Sequence, residues 1–417
     1  MSEADGFNWR HYLPVLVIAG LGFLVDVYDL LLFAVVRVPS LTDLGVAPNQ
    51  ILSVGVDLIN AQMVGLLLGG LIWGVLGDYK GRRAALFGSI LIYSFANILN
   101  AYVTSVPLYM VLRLIAGIGL AGEVGAAMTI AAEVMPPKYR TYGTAAVSLL
   151  GVAGTLLASW AGSALPWRTA YMSAGFAGLA LLGLRISMKD TELFEKTRKR
   201  EGVDRNILLL LVRSPLRLLK AARCVLSALP LFFVFGIIVT FAPEINKNSS
   251  SELVSVARVA MFYSIGETAG ELLSSILSQI SKSRKKVILA FQLCALAMTM
   301  VVFFRSTLET YAYLTLPLGF FVGYWALALT TTAEQFGTNV RSTVTTIVPN
   351  LMRACNIPLN LTFASLAASH GVNTAVAWLA GGSFFLSIVS TLTMEETFAK
   401  DLDFVETSTP REITVGR

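Results

Sequence analysis

The chain has 417 residues, 55% of them hydrophobic and 14% charged, with a formal net charge of +6. So much apolar surface exceeds what a soluble globule of this length buries, which excludes a water-soluble domain and points to a membrane protein. Basic residues gathered in loops between apolar runs account for the positive balance, and that distribution argues against nucleic-acid binding.

A helix crossing a hydrocarbon core of about 30 Å needs about 20 apolar residues. Twelve such runs are predicted, near 12–37, 50–77, 83–103, 107–133, 142–163, 167–187, 223–243, 254–279, 286–304, 309–332, 341–369 and 372–394. The one long polar interruption, from Lys189 to Arg205, falls between runs six and seven. The expected organisation is an all-α membrane protein with a six-helix bundle over 1–187 and a charged central loop over 188–222. A second bundle over 223–395 and a tail over 396–417 complete it. With both termini cytoplasmic, 25 of the 32 basic residues face the cytoplasm; Arg37, Arg168, Lys247, Arg258 and Arg305 face outward, and Arg113 and Arg353 lie within segments. That bias satisfies the positive-inside rule. No cleavable signal is expected at the N-terminus, because the first apolar run is too long and carries acids.

Segment one holds Asp26 and Asp29, three residues apart and so on one helical face. An ionisable group at membrane depth costs about 2.5–3.5 kcal/mol on insertion scales, so each needs a partner or a task. Two neighbouring carboxylates disfavour double ionisation, which suits a group that loads a proton on one side and releases it on the other. Asp26 is the first candidate proton carrier and Asp29 its neighbour; a plain bond from either to a helix end is the alternative. In segment two, Asp57, Asn60 and Gln62 mark a polar start, and Asn60 is a candidate pore-facing group. Segment four carries Arg113 and Glu123, ten residues or about 15 Å of helix apart, too far for a direct pair. Arg113 is expected to meet an anionic substrate or to cap Asp29, and Glu123 to titrate or to partner a base.

In the second half, Glu267 and Glu271 lie one turn apart in segment eight, and Arg353 lies in mid-segment eleven. A guanidinium there favours an internal acid, with Glu267 or Glu271 as candidates, or a carboxylate substrate held through two parallel bonds. Tyr324 and Trp325 in segment ten are candidate aromatic walls. His370, near the outer end of segment eleven, could sense pH or simply be a solvated loop residue. Cys224, Cys294 and Cys355 have no metal-ligand spacing and read as packing residues. No metal site or cofactor is expected. With two histidines and no nucleophile triad or phosphate loop, neither is an enzyme.

Two arrangements repeat about two hundred residues apart: Ala132-Glu133-x6-Arg140 and Ala333-Glu334-x6-Arg341. Between segments two and three runs Gly74-x3-Asp78-x2-Gly81-Arg82-Arg83, where Gly81 supplies turn freedom and Asp78 can face a helix N-terminus. Its second copy, around Ser278 to Lys286, keeps the bases and loses the acid and the glycine. Segment four reads Arg113-x3-Gly117-x-Gly119-x2-Gly122-Glu123, and segment one contains Asp26-x-Tyr28-Asp29 near its middle. These motifs resemble those of the major facilitator superfamily over nearly the whole chain, with the metabolite–proton symporter and sugar-porter-like branches nearest. Segment seven has Gly236-x6-Pro243 and lacks the glutamine pair and asparagine that sugar porters use, which counts against a hexose.

The resemblance implies two pseudo-symmetric six-helix bundles around a central cavity, working by alternating access. It also links Arg113 to proton coupling and makes Gly74, Asp78, Gly81, Arg82 and Arg83 a gate, with Asp78 near the start of segment eleven. Glu133, Arg140, Glu334 and Arg341 read as gate residues that pair when their side shuts. The expected function is proton-coupled symport of a small polar metabolite, an organic anion or zwitterion, by a monomer in a bacterial inner membrane. Carboxylates bind sodium too, so the coupling ion stays open. The alternatives are a sugar, polyol or organic-cation symporter, a proton-driven exporter, or, from other classes, a receptor or a lipid-moving protein.

Overall fold

A computed structural model describes residues 9–80, 82–135, 140–185, 214–246, 254–305, 307, 309–336 and 338–398. The first half runs α1 (Trp9–Asp43), α2 (Ile51–Lys80), α3 (Arg82–Asn100), α4 (Val106–Val134), α5 (Arg140–Ala164) and α6 (Trp167–Arg185). The second half is more broken. Its seventh segment comprises α7 (Pro215–Ser227), α8 (Leu229–Phe233), a π-helical turn (Val234–Val239) and α9 (Ala242–Ile245). Then follow α10 (Val256–Ile280) and α11 (Arg284–Arg305), the tenth segment as α12 (Tyr311–Val322) and α13 (Trp325–Gln335), the eleventh as α14 (Thr338–Ala354) and α15 (Asn356–His370), and α16 (Val372–Thr393). The molecule is an all-α protein of two six-segment bundles, as the apolar runs predict.

Length and apolarity suffice for a crossing in Tyr12–Asp43, Ile51–Trp73, Val106–Glu123, Arg284–Phe304, Tyr311–Gln335 and Val372–Thr393, and in the pair α7 and α8 with its π turn, bent by 44°. The bend has local causes. Pro230 enters at the start of α8, and the π turn at Val234–Val239 shifts the bond ladder by one residue. The eleventh segment carries Pro349 inside α14 and breaks at Cys355. At 35 residues α1 is about 52 Å long, well beyond one hydrocarbon core, so its ends project.

Glycine sets the closest helix approaches, and it does so twice in the same way. A Cβ at Gly65 or Gly69 of α2 would strike the carbonyls of Leu114 or Ile118 on α4. A Cβ at Gly266 or Gly270 of α10 would strike those of Leu316 or Phe320 on α12. Segments two and four, and segments eight and ten, are thus matched backbone-to-backbone seams, the small-residue packing that membrane helices favour. Between the halves, α5 packs against α10, and α2 against α14 and α15. Within the first half, Phe33, Tyr109, Trp167 and Tyr171 form an aromatic cluster with ring centroids 5.7 to 6.3 Å apart. In the second, buried Gln292 donates to the Ser227 carbonyl, Ser387 and Thr391 at 2.7 to 3.0 Å, joining α11, α7 and α16.

Candidate functional site

α1 places its two acids on the face turned to the molecular centre, and both are fully buried. Asp26 accepts two bonds from Arg353, at 2.7 Å from Nη2 and 3.2 Å from Nη1. Arg353 lies in the last turn of α14, just before the break at Cys355, and is 6% exposed. Two parallel charge-assisted bonds are the geometry in which a guanidinium holds a carboxylate most firmly. The pair joins the first half to the second.

One turn further along α1, Asp29 accepts from Gln62 of α2 at 2.7 Å and faces Arg113 of α4 at 3.5 Å. Arg113 also donates to the side-chain amide oxygen of Gln62, Oε1, closing a three-member ring. Its guanidinium lies 4.6 Å above the Phe33 ring and 5.9 Å from that of Tyr171. On the opposite side of Asp26, Glu123 of α4 is bonded by Arg185, the last residue of α6, at 2.8 Å and by Ser89 of α3 at 3.1 Å. This pair is stacked on α1 at Gly22, where an added Cβ would lie 2.7 Å from Glu123 and collide with Arg185. Gly22 and Asp26 share a helix face, so α1 presents three charge clusters in succession. Each acid has a basic partner, which offsets the cost of burying it.

A cavity of about 20 Å³, room for a single water, lies between the halves. Leu30, Phe33 and Ala34 of α1, Ile59, Gln62 and Met63 of α2, Phe235, Gly236 and Thr240 of segment seven and Asn356 of α15 line it. The Asn356 Oδ1 is buried with no hydrogen-bond partner among the described residues and packs on Gly236, where a Cβ would strike it. One turn further, Asn360 donates to Asn60 of α2 at 3.2 Å, a second polar link between the halves.

The other predicted residues fall elsewhere. Glu267 accepts from Tyr263 at 3.1 Å, and Glu271 lies one turn on along α10; Arg353 takes Asp26 as its carboxylate partner. Tyr324 is buried and donates to the Ser227 carbonyl at 3.1 Å, while Trp325 meets Phe232 edge-on with centroids 5.7 Å apart. His370 is exposed and bonded to Ser369. Glu334 pairs with Arg284 of α11 at 3.1 Å and accepts from Thr397 at 2.7 Å. The side chains of Asp78, Arg82, Arg83, Glu133, Arg140 and Arg341, and the surroundings of Gly74 and Gly81, lie outside the described residues. Among the described residues no cluster of metal-ligating side chains occurs. The structure adds Gln62, Arg185, Arg284 and Asn356, along with a pair at the end where α1 finishes: Arg37 bonds Glu244 of α9 at 2.7 Å.

A family model described as the Major Facilitator Superfamily matches residues 18–354. The "Putative metabolite transport protein" of Haemophilus influenzae is 26% identical over 398 residues, 91% of this chain and 94% of its own. The "Putative niacin/nicotinamide transporter NiaP" of Bacillus subtilis is 24% identical, covering 85% of this chain and 89% of its own. Among solved structures, the proton:xylose symporter XylE bound to 6-bromo-6-deoxy-D-glucose superposes with a TM-score of 0.72 at 17% identity. That superposition covers 95% of this chain and 98% of the other, a likeness of fold.

Proposed function

Since this chain belongs to the Major Facilitator Superfamily and is a multi-pass membrane transporter rather than an enzyme, we propose that it carries a small organic carboxylate together with a proton by alternating access. The Asp26–Arg353 pair carries the reading. While Asp26 is ionised it occupies the guanidinium, and no carboxylate substrate can take both bonds. A proton on Asp26 removes that competitor, and the substrate carboxylate then takes its place on Arg353. Proton and substrate are thereby loaded together, and loss of the proton returns Asp26 to Arg353 and expels the anion. Asp29 and Arg113, held by Gln62, form a second titratable pair one turn away. Niacin, named for the Bacillus relative, is a planar ring bearing a carboxylate, the group a guanidinium such as that of Arg353 holds through two parallel bonds.

The supporting geometry extends to the rest of the machine. The bundles over 1–187 and 223–395 rock about the central pairs, with 188–222 linking them. The positive-inside rule puts both termini and the Arg284 end in the cytoplasm, so the Arg37 end faces outward. The relatives named are bacterial, and the inner membrane is the compartment proposed, with a monomer as the transporting unit. Arg284–Glu334 belongs to the cytoplasmic gate, together with the repeated acids and bases of the two halves.

The experiment is nicotinate and nicotinamide uptake into proteoliposomes under an imposed proton gradient, with benzoate and D-xylose alongside. Uptake of the acids, uphill and abolished in Arg353→Ala, supports the reading. Uptake of D-xylose alone, or acid uptake unaffected by Arg353→Ala, rejects it. An Asp26→Asn variant that still concentrates the acid against its gradient would remove Asp26 as proton carrier and leave Asp29.

A further inference from the structure

We propose that Arg37 is a first docking site for the substrate carboxylate at the outer mouth, one that Glu244 closes when the two bundles meet there. The inference rests on the carboxylate reading above and assigns a second anion site to it. Arg37 is fully buried, and Glu244 is mostly so. One nitrogen makes every bond: Nη2 reaches Glu244 at 2.7 Å and donates to the Thr240 carbonyl at 3.3 Å. The Nε and Nη1 groups are buried and have no partner among the described residues. Buried donors left unbonded are costly, and a guanidinium whose strongest geometry is a two-bond carboxylate contact is here used at half its capacity.

The side chain is seated firmly on the first bundle. Gly55 of α2 makes the notch, since a Cβ there would lie 2.7 Å from Arg37 Cδ. The acid, the Thr240 carbonyl and the Phe241 ring, 4.8 Å from the guanidinium, all come from segment seven of the other bundle. Parting of the bundles at this end therefore removes the acid, the carbonyl and the ring from Arg37 and leaves the cation in its notch on the first bundle.

Its register on α1 matters as much. Arg37 follows Asp26 by eleven residues, about three turns, so the two share a helical stripe about 16 Å apart along the axis. The polarity alternates. At the centre α1 supplies the acid and the second bundle the base, Arg353; at the end α1 supplies the base and the second bundle the acid. At both levels a protein carboxylate occupies a guanidinium that a substrate carboxylate could take. The anion would bind Arg37 when the mouth is open and pass inward as Glu244 returns to it.

Full-length protein in nanodiscs, titrated with nicotinate at two ionic strengths, tests this. Glu244→Gln removes the competing acid and should tighten nicotinate binding severalfold. Arg37→Gln should weaken it about tenfold and flatten its salt dependence, leaving nicotinamide binding unchanged. Arg37→Lys, which keeps the charge, should fall between. The double variant Arg37→Gln/Glu244→Gln leaves neither charge buried alone, so it guards against a folding defect in the single variant. A simple latch predicts effects of the same sign for Glu244→Gln and Arg37→Gln, equal for acid and amide, and that pattern would overturn the docking site. If Arg353→Ala abolishes nicotinate binding while Arg37→Gln leaves it intact, this inference falls and the central reading stands. If the unsubstituted protein binds neither nicotinate nor benzoate, both fall together.

Discussion

Asp26 and Arg353 are 327 positions apart in the chain and 2.7 Å apart in the structure. A contact so distant in sequence ties the first helix to the eleventh segment at the level where the two halves meet. It makes one carboxylate responsible both for a bond across the interface and for the occupancy of a buried cation.

Removing the acid should therefore cost more than removing the pair. Asp26→Ala leaves a buried guanidinium without its carboxylate, a loss of about 3–5 kcal/mol for a broken buried pair. The double variant Asp26→Asn/Arg353→Gln should unfold at a temperature closer to that of the unsubstituted protein. Thermal unfolding of both in detergent decides it, and an Asp26→Ala protein as stable as the parent would show that Arg353 finds its compensation elsewhere.

The Glu123–Arg185 pair should behave as a unit. Glu123→Gln and Arg185→Gln each strand one partner, so a double-mutant cycle in unfolding free energy should show a coupling of about 0.5–3 kcal/mol. Additive effects would mean the two side chains do not share their stabilisation.

Helix approach is testable at single glycines. Gly270→Leu must displace the Phe320 carbonyl and with it the α10–α12 seam, a change in backbone that should leave little folded protein in the membrane fraction. Gly381→Leu meets open space on α16 and should accumulate normally. Monodisperse yield after detergent extraction compares them directly.

Glu396 caps α11 from beyond the last segment. Burial works against its charge, yet the bond from Ser283 and the backbone N–H groups of Arg284, Phe398 and Thr397 outweigh it and hold the carboxyl below the usual glutamate range. A group with a depressed folded pKa contributes its stability above the unfolded value, near 4.3, and loses it as pH falls through the folded one. Hydrogen exchange at 283–286 and 394–398 should therefore stay slow down to about pH 4 and rise below it. Glu396→Gln should exchange quickly at neutral pH and show no such acid step.

The buried acids and bases of the membrane segments were largely legible in the sequence because membrane depth makes every one of them costly. Asp26, Asp29, Arg113, Glu123 and Arg353 stand out in apolar runs for that reason alone. Their partners were less legible, because pairing depends on how each helix is rotated about its axis, and one chain contains no measure of that. Glu267 and Glu271 were the candidate internal partners of Arg353 and Asp26 was not among them; in the structure Arg353 bonds Asp26 of α1 across the interface between the halves. Arg185 was hidden by its place at the end of an apolar run, where a base reads as part of a loop. Arg37 was hidden differently: α1 continues six residues past it to Asp43, so an apparent loop residue is a buried helical one. The repeat containing Glu334 was plain, while its partner Arg284 came from a motif whose acid and glycine are lost.

A central site built from one carboxylate and one guanidinium has a bioenergetic corollary. Exchange of the internal acid for a protonated acid plus a bound anion leaves the sum of charge at that level unchanged. The loaded and empty carriers would then cross between states without sensing the voltage across the membrane. Accumulation would be set by the pH difference alone, about tenfold for each unit, and collapsing the membrane potential with an ionophore that spares the pH gradient would leave the final concentration ratio where it was.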